Sequence, residues 1–491
     1  MRTTNTIKLQ GVDYVPVKVE CEITPGIGIH LVGLADLAVK ESLLRTVTAM
    51  QACGYRIPGK KIVINLAPAD ITKDGSGYDL AIALGVIAES GQSSADYLES
   101  FVILGELALD GHIRAVPGVV QAVQAAKDQG YGVIVPRANA AEVEGLFDDY
   151  KPVYYVNHLD EAIAVVNTLT CARVPGEVDE QPEHEGWWDR ITGQNGAKRA
   201  LEIAAAGGHP VFMMGAPGSS KTALAKAMLD ILPPMTEEET LEVAKIYSVA
   251  GKYEQRQRPF RAPHASASMA ALLGGGWGEG IKPGEVSLAH NGVLYLDEFA
   301  EYPKVKYEAL RGPLEDGKVV ISRLKSKVEY PARFQLVVGT NPCPCGYYGE
   351  GDRCACTTGQ RVAYLSRMSG PVFDRLTVQL WVHPDVSGTA GEPAAVVSER
   401  VRKARELQIK RQGKLNDELS SQELAQYVPT NNEVLQFAET IVERLGLSAR
   451  AWSRMLKIAM TIADLEGAES VRTEHIAEAA SYRFLDRTQV L

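Results

Sequence analysis

The strongest chemical signal in this chain is an octapeptide between an apolar run and a helical pattern. Gly215-Ala216-Pro217-Gly218-Ser219-Ser220-Lys221-Thr222 follows PVFMM and precedes ALAKAMLDIL. Glycines let the backbone approach a phosphate chain, and the N–H groups of a helix start face it. The lysine reaches phosphate oxygens and the hydroxyl suits magnesium. The spacing therefore points to ATP with Mg2+. Ser220 stands where glycine usually precedes the lysine. A second segment, apolar residues 293–296 followed by Asp297-Glu298, reads as a buried strand delivering carboxylates. Asp297 is suited to hold magnesium with Thr222, and Glu298 to polarise an attacking water. A third, FQLVVGTNP, ends another apolar strand at Asn341, whose amide can position that water.

The other clustered chemistry is sulfur. Cys343, Cys345, Cys354 and Cys356 form two Cys-x-Cys pairs in a glycine-rich loop just after Asn341. Four thiolates can close a tetrahedral structural zinc site, about one ion per chain; free thiols or a redox pair are the alternative. Cys21, Cys53 and Cys171 are scattered. With no signal-like apolar segment at the N-terminus, clustered cysteines point to metal in a reducing compartment, and the expected location is cytoplasmic.

The elements that must position these residues divide the chain. Its 491 residues suit about three domains, and 45% hydrophobic with 23% charged residues fits globular usage. No apolar run is long enough to cross a membrane. The net charge, 51 − 61 = −10, gives no general attraction to nucleic acid, so any DNA contact needs a local basic surface. Residues 1–171 alternate strand and helix patterns: a hairpin over 7–23, a helix over 36–55 ending at Gly54, a strand over 60–68 and a helix over 78–91. Segments 101–109 and 112–118 read as paired strands around Asp110-Gly111. A helix over 119–130 and a strand over 131–136 follow. Residues 172–186, with two prolines and five acids, read as an exposed linker. Residues 187–385 read as a nucleotide-binding α/β domain, and 386–491 as helical.

These motifs together resemble the AAA+ ATPases, and more closely their magnesium-chelatase-like subgroup. Residues 260–298 look like its helix-2 insert and 309–323 like its pre-sensor hairpin. Over nearly the whole length the chain resembles the ComM/YifB family. The resemblance implies a multidomain α/β protein: a Lon-protease-like N-terminal domain, an AAA+ P-loop core and a C-terminal helical lid. It further implies that Arg375, in Phe373-Asp374-Arg375, is an arginine finger reaching a neighbouring subunit's phosphate, hence a homo-hexamer. Arg450 fits the second sensor, with Arg454 the runner-up. The implied task is ATP-driven movement on single-stranded or branched DNA, as in branch migration during recombination or natural transformation. Residues 304–333 hold eight Lys or Arg and four acids, and Lys318, Arg323, Lys325 and Lys327 on or near the hairpin would line a ring's pore.

Residues 66–85 and 111–139 look like Lon's nucleophile and base segments, but Gly77 stands at the serine position and Val120 at the lysine position. Ser76 and Lys73 are close by without occupying the dyad positions, so no peptidase activity is expected. Rival readings are a magnesium-inserting chelatase subunit, a Lon-type protease and an ATP-driven protein remodeller.

Overall fold

The computed structural model describes residues 1–34, 36–147, 149–150, 152–170, 186–252, 257–276, 280–323, 326–368, 372, 375–383, 388–428, 432–445 and 448–486. The linker over 172–185, the expected boundaries at 171 and 385–386, Phe373, Asp374, Lys325 and the Arg323 side chain lie outside the described residues. Among the described residues no helix is long and apolar enough to cross a membrane.

The N-terminal part is a seven-stranded mixed sheet, ordered Gly28–Val32, Lys61–Ala67, Asp13–Thr24, Arg2–Gln10, Phe101–Ile103, Gly132–Pro136, Val153–Val156. The expected hairpin forms, with Gln10 opposite Asp13. Val17, Val19 and Cys21 alternate inward, as a half-buried strand requires. The helix Leu37–Ala52 starts where the Asp36 carboxylate accepts from the Val39 amide.

One expected pairing differs. Phe101–Ile103 lies parallel to Arg2–Gln10 and to Gly132–Pro136. Only Glu106–Leu107 pairs back with Ile113–Arg114. The cause is burial: Phe101, Val102 and Ile103 are all buried, and a continuous apolar triplet suits a central parallel strand better than a hairpin arm.

The second part is an all-parallel five-stranded sheet, ordered Phe260–Arg261, Val293–Leu296, Gln335–Thr340, Val211–Gly215, Val378–Val382. Its strands are near-continuous buried apolar runs, which is what a parallel sheet covered on both faces demands. The C-terminal helices Ala394–Gln412, Asn432–Leu445, Ala449–Glu466 and Thr473–Ser481 share one apolar core with helices Asn195–Gly207 and Lys221–Ile231. The helical part is therefore clamped to the helix that leaves the phosphate loop.

The hairpin Lys318–Arg323 with Ser326–Pro331 stands outside both sheets. Val319, Ile321 and Tyr330 face inward, while Lys318, Ser322, Lys327 and Glu329 are exposed. Its second strand touches the N-terminal part: a Cβ on Gly11 would meet Val328 Cγ1 at 3.2 Å. Gln121, which also ties to Val12 of its own part, and Glu142 carry two hydrogen bonds across that junction. Gln121 Nε2 donates to the carbonyls of Val12 and Lys245, each at 3.0 Å, and Ser248 Oγ donates to Glu142 Oε2 at 2.7 Å.

Candidate active site

Three neighbouring strands of the five-stranded sheet end at one place. Val211–Gly215 runs into the loop 216–220 and the helix Lys221–Ile231. Val293–Leu296 delivers Asp297 and Glu298, and Gln335–Thr340 delivers Asn341. Because parallel strands share a direction, their C-terminal ends meet at one edge, where ligands of such folds bind.

The side chains converge there. Lys221 Nζ lies 2.7 Å from the Gly215 carbonyl, 3.0 Å from that of Ala216 and 3.4 Å from Asn341 Oδ1. Thr222 Oγ1 donates to Asp297 Oδ2 at 3.1 Å. The other Asp297 oxygen accepts from the Glu298 backbone amide at 2.9 Å. Burial lowers the pKa of the Lys221 ammonium, opposed by the charges of Asp297 and Glu298.

The loop fits a triphosphate with magnesium. A Cβ on Gly218 would meet nothing within 4 Å, leaving open space over the loop. A Cβ on Gly215 would strike the Val382 carbonyl oxygen at 2.4 Å and Ser219 Oγ at 2.6 Å, so glycine is required for the strand to turn. Ser219 Oγ is buried with no hydrogen-bond partner, a polar atom inside a phosphate-binding turn. Thr222 and Asp297 pair a hydroxyl with a carboxylate, the hard-oxygen set that magnesium takes.

Two residues of the site carry left-handed backbone. Ser220 has φ +67° and Glu298 φ +51°. A side chain in that region costs about 1–2 kcal/mol. At Ser220 the cost explains why glycine is the usual choice; at Glu298 it turns the carboxylate out of the strand into solvent at the sheet edge.

Two contributors were missed from the sequence. Tyr295 Oη lies 3.4 Å from Thr222 Oγ1, and burial raises its pKa, so it stays protonated as a donor. Gly339 makes room for it: a Cβ there would lie 2.5 Å from that hydroxyl and 3.1 Å from Asp297 Oδ1. The signal was available, since Tyr295 and Asp297 alternate onto the same side of one strand.

The other expected residues are placed as follows. Arg375 bonds Glu315 of its own chain, which also takes Arg311. Arg450 and Arg454 lie in the first turns of Ala449–Glu466, Arg450 exposed and Arg454 half-buried. Lys318 and Lys327 both pair with Glu329, at 2.6 and 3.3 Å. That carboxylate reduces the charge of the hairpin's exposed face without cancelling it.

The four cysteines meet beside the phosphate loop. Cys343 Sγ is 3.3 Å from Cys345 Sγ and 3.7 Å from Cys354 Sγ, and all four sulfurs lie within 4.8 Å of one another. Tetrahedral zinc would hold sulfurs about 3.8 Å apart. The Tyr347 backbone amide and the Cys343 thiol hold the Cys345 thiol down to about 6. A Cβ on Gly346, φ +86°, would meet Pro217 Cδ at 2.7 Å, so the cysteine loop rests directly on the phosphate loop.

At the protease-like segments Ser76 and Gly77 line a cavity of about 670 Å³, shared with Lys8, Asp74, Leu104 and Lys327 of the hairpin. A Cβ on Gly77 would already press Leu104 Cδ1 at 3.1 Å, and Val120 is fully buried beside Ser248. Ser76 Oγ bonds Glu106 and Lys73 Nζ bonds the Pro68 carbonyl.

Comparison with known proteins agrees with this architecture. The family model described as magnesium chelatase, subunit ChlI, matches residues 188–389. Companion models of the same subunit match 19–139 and, for its C-terminal part, 391–483. YifB of Salmonella typhimurium is 42% identical over 489 residues, covering 97% of this chain and 96% of that protein. The competence protein ComM of Haemophilus influenzae is 40% identical over 494 residues, covering 97% and 96%. An archaeal Lon protease of Methanocaldococcus jannaschii is 28% identical over 151 residues, 30% of this chain and 22% of that protein.

Proposed function

The chain belongs to the ComM/YifB family of magnesium-chelatase-like AAA+ proteins, and on that premise we propose that it is an ATP-driven motor acting on DNA. The observation that carries the hydrolytic half is the contact of Thr222 with Asp297 beside the contact of Lys221 with Asn341. The loop 215–220 and Lys221 bind the phosphates. Thr222 and Asp297 would hold magnesium, which when bound neutralises charge on the phosphate oxygens. Glu298 orients and deprotonates the attacking water, and Asn341 fixes its position. Arg375 acts on the nucleotide of a neighbouring subunit in a hexamer, leaving Glu315 to do so, and Arg450 closes the helical lid over its own nucleotide.

The name of the competence protein ComM supports a task in competence; a DNA substrate met in recombination or transformation, and a cytoplasmic site of action, are part of the same proposal. The exposed face of the hairpin, with Lys318 and Lys327 and the nearby Arg323 and Lys325, supplies the local positive charge that a chain of −10 lacks overall. Contact with the phosphodiester backbone of a single or branched strand suits it better than base reading. Cys343, Cys345, Cys354 and Cys356 would hold a structural zinc ion, with no open position for catalysis. The N-terminal domain serves as a collar and not as a peptidase.

ATP turnover with and without single-stranded DNA tests the reading, beside Lys221→Ala. Stimulation by DNA that vanishes in Lys221→Ala, and is lost with DNA binding in Lys325→Glu/Lys327→Glu, supports it. Turnover indifferent to DNA favours the second reading, a chelatase-type or protein-remodelling motor, which the matched family model supports.

A further inference from the structure

Three segments far apart in sequence meet on the N-terminal domain, away from the nucleotide. Cys53 caps the C-terminus of helix Leu37–Ala52, and His158 caps the N-terminus of helix Leu159–Thr168. Asp110-Gly111-His112 forms the turn between them in space. Cys53 Sγ lies 4.0 Å from His158 Nε2, which is 3.3 Å from the Asp110 carbonyl oxygen. His158 Nδ1 lies 3.3 Å from Asp160 Oδ2. One ligand atom from each of Cys53, His158 and Asp160 falls within 4.8 Å of the others. His112 stands edge-on to the His158 ring at 5.1 Å.

The approach is built rather than incidental. Gly111 has φ +90°, and a Cβ there would overlap Cys53 Sγ at 2.3 Å and His158 Nε2 at 2.9 Å. Only glycine lets the turn close over both donors. Tyr55 hydrogen-bonds Asp160 and steadies the carboxylate. Asp110, Asp160 and the Cys53 thiol give the spot groups that favour a cation, while the helix ends at Cys53 and His158, one negative and one positive, oppose each other. Burial and the charges of Asp160 and Asp110 raise the Cys53 thiol, which disfavours a free nucleophilic thiolate.

We propose that Cys53, His158 and Asp160 form a second zinc site, independent of the four-cysteine loop and of the nucleotide chemistry. A sulfur, an imidazole and a carboxylate are a zinc donor set. Tetrahedral zinc would set sulfur and nitrogen about 3.6 Å apart, a few tenths of an ångström inside the separation found here. Binding releases the Cys53 thiol proton to solvent and changes no oxidation state. The fourth position is left to water or to His112. The ion would pin two helix ends and a turn to one another, a staple across the domain's edge.

Zinc analysis of purified full-length protein, after exchange into buffer of defined zinc, tests this with His158→Asn and Cys53→Ser. Asparagine keeps the helix cap that His158 provides and serine keeps the size of Cys53, so folding is preserved. Each variant loses one zinc per chain relative to wild type, from two to one when the cysteine loop is also loaded. A variant holding as much zinc as wild type overturns the proposal, whatever the cysteine loop does. In wild type, added zinc slows alkylation of Cys53 about tenfold or more, read by peptide mass spectrometry, and chelator reverses it. An unchanged alkylation rate counts against the site without relying on any variant.

Discussion

The sheet edge at Lys221 and the loop at Gly77 are both places where a strand hands the chain to a helix, yet they are opposites. At the first, Lys221, Thr222, Asp297 and Asn341 bring an ammonium, a hydroxyl, a carboxylate and an amide within hydrogen-bonding reach. The Ser219 hydroxyl is left buried and unpaired, and space is kept over Gly218. At the second, the dyad positions carry Gly77, which lines a cavity beside Leu104, Ser76 and Asp74, and Val120, which is buried at the domain junction beside Ser248. Converging polar groups at strand ends mark the first site; the second keeps a cavity of about 670 Å³ with neither serine nor lysine at the dyad positions.

The comparison is sharpened first at Arg375. Arg375→Ala should cut ATP turnover about 10³-fold or more while nucleotide binding persists. Mixing it with Lys221→Ala chains should restore part of the rate, because each chain supplies what the other lacks. Turnover unchanged in Arg375→Ala would remove the finger role.

Glu298→Gln should follow, with turnover down by about 10²–10⁴-fold and ATP still bound, measured by single-turnover hydrolysis beside a binding titration. Loss of binding instead would mean that Glu298 shapes the pocket.

Glu142 lies where the two regions meet, bonded to Ser248 and Asn139. Burial pushes its carboxyl from 4.5 up to about 7. The folded protein then holds a proton that the unfolded chain releases, so stability is greatest at acid pH and falls as pH rises from 4.5 to about 7. The loss amounts to roughly 3 kcal/mol. In Glu142→Gln this part of the pH dependence should vanish, seen as a flatter Tm-versus-pH curve than wild type. Parallel curves would refute the assignment.

The smallest effect is at Ser220. Glycine there removes left-handed strain but adds freedom to the unfolded chain, for a net gain of roughly 1 kcal/mol. Denaturant melts of Ser220→Gly should shift upward by that much, and a shift downward would mean that the serine side chain stabilises the loop.

Much of the nucleotide site was legible because its residues are consecutive or end strands of a single apolar type. Lys221, Asp297 and Asn341 follow runs that can only be buried strands, and a parallel sheet then brings their ends together. Tyr295 could have been found from its place two residues before Asp297, but Gly339 was not legible, because its role depends on which strands are neighbours. The break of 101–109 into a central strand and a two-residue ladder escaped pattern reading, since apolar alternation does not reveal a strand's partners. The resting of Gly346 on Pro217, and the meeting of Cys53 with His158, are tertiary facts. Nothing in the spacing of residues 53, 111 and 158 announces them.

The most direct test of the contrast is one preparation assayed for both chemistries: ATP turnover and ATP-dependent cleavage of casein, in wild type, Glu298→Gln and Ser76→Ala. ATP turnover present in wild type and Ser76→Ala, lost in Glu298→Gln, with casein intact throughout, is the predicted result. Casein cleavage that requires ATP and is abolished by Ser76→Ala would contradict the account.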